Sequence, residues 1–107
     1  MSRRSTGRRV LREMMGPEGG KHFTGPAESG TFGAAIAGLA IDQVLGEIWT
    51  HPGLDRKARS LITLEVMVAL KQPNEFALHM RAGLRNGLTL AENKDIPRQS
   101  RGVSWSC

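Results

Sequence analysis

Apolar positions with helical spacing are concentrated in the middle of the chain. Over residues 31–49 they recur every three or four positions, although the glycines there lower helix propensity and favour a break near Gly38. Residues 56–71 are apolar nearly all round beyond the first turn, which is typical of a central, buried helix. Residues 75–86 again have one apolar side. The pattern predicts three helices and places the core between residues 32 and 88.

Capping residues mark the ends of these helices. Asp55 is placed to accept hydrogen bonds from the free amides at the start of the second helix, and Asn74 is placed to do so for the third. Pro52 pushes the residue before it out of the helical region, so residues 50–53 predict a turn. Gly87 closes the third helix, at a position where left-handed backbone costs glycine little.

The first thirty residues predict a flexible basic arm. Residues 1–6 are expected to be disordered, and residues 8–15 have apolar side chains on one side of a short helix that Gly16-Pro17 ends. Residues 18–30 contain several glycines and prolines and predict a loop. The arginines of this arm are expected to be solvated.

The C-terminal residues predict the start of a helix that does not continue. Thr89 and Glu92 have the spacing of a capping box. Residues 93–107 have no apolar periodicity and predict an irregular tail. The expected fold class is therefore all-α, a small helical bundle with its core over residues 31–92, between the arm (1–30) and the tail.

Composition narrows the function classes. A chain of 107 residues has room for one domain. The formal charge of +5 would suit a polyanion, but the basic residues are not interleaved with aromatic ones, so no nucleic-acid partner is expected. No apolar run approaches the roughly 20 residues of a membrane helix, so no membrane partner is expected either. Without a signal-peptide segment a cytoplasmic protein is predicted, and the arginine-rich start leaves organellar targeting as an alternative.

Residues that support redox, metal or phosphate chemistry are sparse. The single cysteine, Cys107, excludes an internal disulfide and a cysteine pair. No spacing of His with Asp or Glu suggests a metal site, and no glycine pattern opens a helix after a strand. No cofactor is therefore predicted.

Two stretches of the chain carry a family resemblance. Residues 47–64 read Glu-Ile-Trp-Thr-His-Pro-Gly-Leu-Asp-Arg-Lys-Ala-Arg-Ser-Leu-Ile-Thr-Leu, and residues 75–81 read Glu-Phe-Ala-Leu-His-Met-Arg, followed by Asn86-Gly87. In order and spacing this resembles the signature of the carboxymuconolactone decarboxylase family. The resemblance implies an all-helical fold of the alkylhydroperoxidase D-like type, assembled as a homo-oligomer, a trimer or a hexamer.

The activity that the resemblance implies is decarboxylation without a cofactor. The substrate would be 4-carboxymuconolactone, a carboxylated butenolide lactone with an acetate arm, converted to the enol-lactone in the protocatechuate branch of aromatic catabolism, the β-ketoadipate pathway. Such a substrate is its own electron sink, so the protein supplies a cation for the acetate arm, donors for the enolate oxygen and an acid. The alternative is a non-catalytic or defective relative that acts only as an oligomeric helical module.

The chain departs from this family pattern at two places. The alkylhydroperoxidase branch has Glu-x11-Cys-x2-Cys-x3-His, and counted back from His79 those positions hold Ser60, Gln72 and Glu75. A thiol peroxidase is therefore excluded, since it needs a thiolate and a second, resolving thiol. The relatives also continue into a long apolar helix, which residues 93–107 do not resemble. This last helix is expected to be missing, through a truncated or frameshifted terminus.

The candidate site residues lie in the matching segments. His79 is the acid candidate, because its ordinary pKa lies near neutrality and it borders the apolar side of its helix. Glu75, one turn earlier, would orient His79 or raise its pKa, or would instead stabilise the helix start. Guanidinium groups grip carboxylates in a bidentate manner. The candidates for substrate binding are Arg81, Arg59, Arg56, Glu47 and Trp49. Packing for Trp49 and solvated ion pairs for Arg56 and Arg59 are the alternatives.

Overall fold

Helices account for nearly all of the chain that the structure describes. The computed structural model describes residues 2–28 and 33–106, with side chains over 2–18 and 33–101. The elements are α1 (Arg3–Glu28), α2 (Ala34–Leu39), the π-helical segment π1 (Ala40–Ile48), α3 (Arg56–Ala69), α4 (Pro73–Arg85) and α5 (Leu90–Ser106). No strand occurs in these ranges, so the all-α prediction is confirmed. Of the described helices, none is long and apolar enough to cross a membrane.

The chain divides into two compact units, residues 1–53 and 54–107. The first unit contains α1, α2 and π1, and the second contains α3, α4 and α5. The boundaries predicted from sequence lie elsewhere, at residues 30 and 92. The difference arises because α1 packs against π1 and α5 packs against α3 and α4.

The core of the first unit lies between α1 and π1. Its buried apolar side chains are Val10, Leu11 and Met14 from α1 and Ile41, Leu45 and Trp49 from π1 and the residue after it. The α1 residues have the spacing predicted for the short helix over 8–15. A core confined to residues 32–88 is therefore wrong, because the N-terminal helix contributes some of the most buried side chains.

α1 is longer than predicted and has one break. Gly16 has non-helical angles (φ 78°, ψ 169°), which glycine adopts at little cost, and Pro17 suits the first turn of the helix that resumes. The predicted helix end at these two residues is thus a kink. The predicted loop over 18–30 is wrong as far as Glu28, and residues 29–32 lie outside the described part of the chain.

Ion pairs join the first turn of α1 to π1. Arg4 donates to both carboxylate oxygens of Asp42, with 3.1 Å between Nη2 and Oδ2. This hydrogen bonding is the largest of the effects that lower the pKa of Asp42. Arg3 Nη1 lies 3.1 Å from Glu47 Oε2. The disorder predicted for residues 1–6 is therefore wrong from Arg3 onward. Arg3 is paired although exposed, and Arg4 is paired and partly buried.

α1 and π1 approach each other closely at two glycines. A Cβ atom on Gly7 would lie 2.0 Å from the carbonyl oxygen of Ile41, and one on Gly46 would lie 2.4 Å from the carbonyl oxygen of Arg3. The obstructing atoms are backbone, which moves only if the helices separate. Glycine is required at both positions, although it lowers helix propensity.

The core of the second unit joins its three helices. Leu64 of α3, Leu88 after α4 and Ile96 of α5 are buried together, and Phe76 and Met80 of α4 pack against them. Each of the three helices contacts the other two, and this cluster is where they meet. It is small, so polar contacts carry much of the remaining helix docking.

α3 is buried on one side only. Ser60 and Leu64 are buried, whereas Ile62, Val66 and Leu70 are exposed at 53%, 43% and 62%. The three exposed residues recur every four positions and form a stripe along α3, which we call the α3 stripe. The prediction that this helix is buried on all sides is therefore wrong, because α4 and α5 cover only the side opposite the α3 stripe.

α5 occupies the residues for which an irregular tail is predicted. The capping box forms as predicted: the Glu92 amide donates to Thr89 Oγ1 (3.0 Å), and the Thr89 amide donates to Glu92 Oε1 (2.9 Å). The helix then continues past Pro97 to Ser106. The expected irregular tail over 93–107 is therefore wrong as far as the structure describes the chain.

The packed side of α5 is mostly polar, which explains why apolar periodicity does not predict it. Asn93, Ile96 and Ser100 are buried at helical spacing. Asn93 Nδ2 donates to the carbonyl oxygen of Met80 (2.7 Å), and Ser100 Oγ donates to Glu65 Oε1 (2.7 Å). A hydrophobic pattern includes only Ile96 of these three residues.

The starts of α3 and α4 are capped differently. Asp55 Oδ1 accepts from the Ala58 amide (2.8 Å), so its predicted role as N-cap is confirmed. α4 begins with Pro73 at its first position, and Gln72 stands at the N-cap without a side-chain hydrogen bond. The prediction of Asn74 as the cap is wrong, because the fixed φ of proline already suits the first helical residue.

α3 ends in a Schellman motif. The Gln72 amide donates to the carbonyl oxygen of Met67 (2.9 Å), and the Lys71 amide donates to that of Val68 (3.1 Å). Lys71 takes the left-handed conformation that this motif requires, with φ 55°. The predicted end of α3 at Lys71 is thus two residues too late, since the helix ends at Ala69.

α4 ends in the same motif with a different residue at the turn. The Leu88 amide donates to the carbonyl oxygen of Gly83 (2.9 Å), and Gly87 takes the left-handed conformation with φ 106°. The predicted role of Gly87 is confirmed. The two motifs therefore differ in having lysine at one left-handed position and glycine at the other.

Replacing Gly7 with alanine will lower the free energy of unfolding by about 1–3 kcal/mol, because the new methyl group overlaps the backbone of Ile41. Gly33→Ala is the matched control, since no atom of the described residues lies within 4 Å of its Cβ position. Chemical denaturation of both variants measures the difference. Equal losses would contradict the close approach of α1 and π1.

Lys71→Gly will raise the free energy of unfolding by about 1 kcal/mol, because glycine tolerates the left-handed backbone that lysine resists. Gly87→Ala makes the opposite change at the matching position and will lower it. Denaturant midpoints of the two variants provide the measurement. A destabilised Lys71→Gly protein would show that the backbone at the end of α3 is unstrained.

Candidate active site

α3 and α4 form an antiparallel hairpin that carries most of the predicted site. The end of α3 adjoins the start of α4 through residues 70–72. At the other end, Asn86 Nδ2 donates to Ser60 Oγ (2.8 Å), and both side chains are buried. The turn at one end and this hydrogen bond at the other fix which α4 residues lie beside which α3 residues.

His79 lies midway along this hairpin on α4. Its imidazole is half-buried, and burial lowers the pKa of His79 below the ordinary value of 6.5. The negative charge of Glu75 acts in the opposite direction and more weakly. Within the part of the chain that the structure describes, no hydrogen bond involves the imidazole. His79 is therefore largely neutral at pH 7.

Glu75 is exposed in the first turn of α4, one turn before His79. Residues four apart lie on the same side of an α-helix, so the carboxylate and the imidazole share a face. The two roles considered from sequence coexist here. The charge of Glu75 acts on the pKa of His79, and its place in the first turn favours the helix dipole.

Arg81 is exposed and lies on a different side of α4 from His79. Residues two apart on an α-helix point roughly 200° apart, so they do not face one another. α4 therefore brings His79 together with Glu75, and it does not bring His79 together with Arg81 of the same chain.

Arg56 and Arg59 are half-buried in the first turns of α3, at the end of the hairpin where Ser60 meets Asn86. Arg59 Nε donates to the carbonyl oxygen of Leu54 (3.1 Å), which holds its side chain against the preceding loop. Neither arginine is without partners in the fold. Part of their hydrogen-bonding capacity is thus already used.

Glu47 and Trp49 belong to the first unit, residues 1–53. Glu47 is paired with Arg3, and Trp49 is only 9% exposed in the core beside α1. The structure thus places the Trp49 side chain in the packed core, as the alternative interpretation from sequence had it.

A groove that the sequence pattern does not predict lies at the turn between α3 and α4. It has a volume of about 420 Å³, and its walls are mostly apolar. The residues that line it are Met67, Val68, Lys71, Gln72, Pro73 and Phe76. Phe76 precedes His79 by three residues on neighbouring parts of one helix face. The groove therefore borders the side of α4 that carries the histidine.

The described residues contain no group of three or more His, Cys, Asp or Glu side chains that could hold a metal ion. Three carboxylates, Glu65, Glu92 and Asp95, do line one surface depression. Each is already engaged by a hydroxyl or a cation of the same unit.

The sequence matches a family model over residues 37–105, which includes all of α3 and α4 and nearly all of α5. The model is that of the carboxymuconolactone decarboxylase family. The chain belongs to this family. The resemblance carried by residues 47–64 and 75–81 is thereby confirmed, and the matched region extends into α5, beyond the predicted core.

Two curated relatives in this comparison are decarboxylases. The chain is 45% identical over 51 residues to 4-carboxymuconolactone decarboxylase of Acinetobacter baylyi, a match that covers 48% of this chain and 38% of the relative. It is 40% identical over 57 residues to nitrosuccinic acid decarboxylase of Metarhizium robertsii, covering 53% of this chain and 40% of the relative. The chain thus matches about two-fifths of the length of these relatives. No solved structure matches the chain significantly.

The burial of His79 predicts a pH dependence of stability. Its pKa in the folded protein lies below the unfolded value, so the stability linked to it is fully present above about pH 6.5 and is lost as the pH falls through the folded pKa. His79→Gln will therefore lose less unfolding free energy than the parent protein between about pH 7.5 and about pH 5.5. His51→Gln, at an exposed histidine of the first unit, is the control. A His79→Gln variant with the parent's pH profile would contradict the burial.

Proposed function

We propose that the protein decarboxylates 4-carboxymuconolactone to the enol-lactone without a cofactor. The observation that carries the proposal is the family match over residues 37–105, which includes the hairpin with the half-buried His79. A relative named for this reaction shares 45% identity over 51 residues. We place the reaction in the protocatechuate branch of aromatic catabolism, in the cytoplasm.

The chemistry of the two named substrates indicates a common class. In 4-carboxymuconolactone, the carbon that loses its carboxylate carries an acetate arm and belongs to the unsaturated lactone ring. When the carbon–carbon bond breaks, CO2 leaves and the electron pair passes through the ring double bond to the lactone carbonyl oxygen. Nitrosuccinic acid has the same outline, with a nitro group as the electron acceptor. The proposed class is therefore succinic acids that carry an electron-withdrawing group beside the leaving carboxylate.

His79 is the proposed proton donor. Its half-buried imidazole is largely neutral in the free protein, and an approaching dianionic acid raises its pKa and favours the imidazolium. After CO2 leaves, the imidazolium protonates the substrate carbon, and water later restores the proton to the ring. Glu75 stabilises the imidazolium from one turn away. Partial removal of water from the leaving carboxylate favours its loss.

Arg59 and Arg56 are proposed to add positive charge at the other end of the hairpin. Arg81 would reach a substrate only in a neighbouring copy, because it lies on a different side of α4 from His79. We also propose a homo-oligomer, a trimer or a hexamer. The exposed α3 stripe supports this assembly, because a second copy would cover its apolar side chains.

His79→Gln will lower kcat for 4-carboxymuconolactone by about 100-fold or more, the range expected for loss of a general acid. In the parent protein, kcat/KM will fall as the pH rises through a pKa below the ordinary 6.5, because the protonated imidazole is the active form. The variant will lack this dependence. Loss of lactone absorbance measures both effects, and His51→Gln is the control.

Unchanged turnover in His79→Gln, with helical content preserved, would place the acid elsewhere. Light scattering on the same preparation measures the oligomeric state. A folded oligomer that converts neither the lactone nor nitrosuccinic acid would support the alternative of a non-catalytic helical module.

A further inference from the structure

The groove at the α3–α4 turn combines apolar walls with one cation. Met67, Val68, Pro73 and Phe76 provide the apolar surface, and Lys71 is the one charged residue among the described side chains that line it. Its volume of about 420 Å³ falls in the range of small-molecule pockets, about 300–1,000 Å³. All of these residues belong to the second unit, so a single unit forms the groove.

Lys71 is held in a conformation that glycine would adopt at lower cost. Its φ of 55° meets the same requirement that Gly87 meets at the end of α4. A left-handed lysine is uncommon, and such strain persists where the surrounding structure imposes it, often at ligand sites. Among the residues that the structure describes, no carboxylate pairs with the Lys71 ammonium group. The charge at the groove is therefore available to a ligand.

α4 connects this groove to His79. Phe76 lines the groove and precedes His79 by three residues on α4, a spacing that places both on one side of an α-helix. At 1.5 Å per residue, Phe76 lies about 4.5 Å before His79 along the helix axis. A ring-bearing acid in the groove would extend along α4 towards the imidazole.

We propose that this groove binds the acid substrate, with the ring packed against Phe76 and Pro73 and the retained carboxylate held by the ammonium group of Lys71. The identity of the ligand rests on the proposed function. Lys71 thereby takes the role of carboxylate-binding cation for which Arg81 of the same chain is unsuitably placed. A lysine suits this exposed site, because its ammonium group can approach a carboxylate from several directions.

Phenylsuccinate is a suitable probe, since it has the ring and both carboxylates but lacks the strong electron acceptor needed for decarboxylation. Isothermal titration calorimetry will show binding to the parent protein. Lys71→Gln will raise Kd about three- to five-fold at low salt, the size expected for an exposed ion pair, and added salt will reduce the difference. Lys94→Gln, at an exposed lysine of α5, is the matched control and will leave Kd unchanged. Phe76→Ala will weaken the binding of phenylsuccinate more than it weakens the binding of succinate.

Lys71→Gly provides a second, independent variant. It relieves the left-handed backbone, so it will unfold at higher denaturant concentration while losing phenylsuccinate affinity to the same extent as Lys71→Gln. Retained affinity in Lys71→Gly would overturn the proposal. Equal effects of Lys71→Gln and Lys94→Gln, or no binding to the parent protein, would also overturn it.

Turnover separates this proposal from the decarboxylase proposal. If the groove holds the substrate, Lys71→Gln will raise KM for 4-carboxymuconolactone with little change in kcat, whereas His79→Gln will lower kcat. The protein could bind phenylsuccinate through Lys71 and yet decarboxylate no tested acid. That result would support the groove as an acid-binding site and refute the decarboxylase proposal. Turnover that is insensitive to Lys71→Gln would refute the groove alone.

Discussion

The antiparallel pairing of α3 and α4 is the constraint on which the candidate site depends. The chain reverses within three residues at the α3–α4 turn, and the hydrogen bond from Asn86 to Ser60 joins the other ends. Between these two points α4 has little freedom to rotate, so Phe76 and His79 keep their placement relative to the groove. The lowered pKa of His79 follows from burial in this packing, since the nearby charge of Glu75 acts in the opposite direction.

The features that sequence predicts correctly are those whose interacting atoms lie within a few residues of each other. Asp55 caps α3 through an amide three residues away, and the Thr89 and Glu92 pair closes its box over the same distance. Gly87 meets a backbone requirement of its own position. α5 is different, because Asn93 and Ser100 dock it through partners on other helices that no local pattern identifies.

The candidate site is predictable in its chemistry and only partly in its arrangement. His79 and Glu75 share a face because they are four residues apart, and the same helical geometry separates Arg81 from them. The pairing of Glu47 with Arg3 spans 44 residues of sequence and depends on how α1 crosses π1. The position of Lys71 depends on the residue at which α3 ends, and helix ends are the least certain part of any sequence-based reading.

Polar contacts between the helices of the second unit also select one alignment of the hairpin. Buried Asn86 donates from Nδ2 to the hydroxyl of buried Ser60, and buried Asn93 donates from Nδ2 to the backbone carbonyl of Met80. Sliding α4 by one turn along α3 would leave such groups without partners, at a cost of about 1–3 kcal/mol each. A small apolar core penalises that slip far less, because one hydrophobic side chain replaces another. The hydrogen bonds therefore fix a single register of α4 along α3. His79 consequently has one position along this short hairpin.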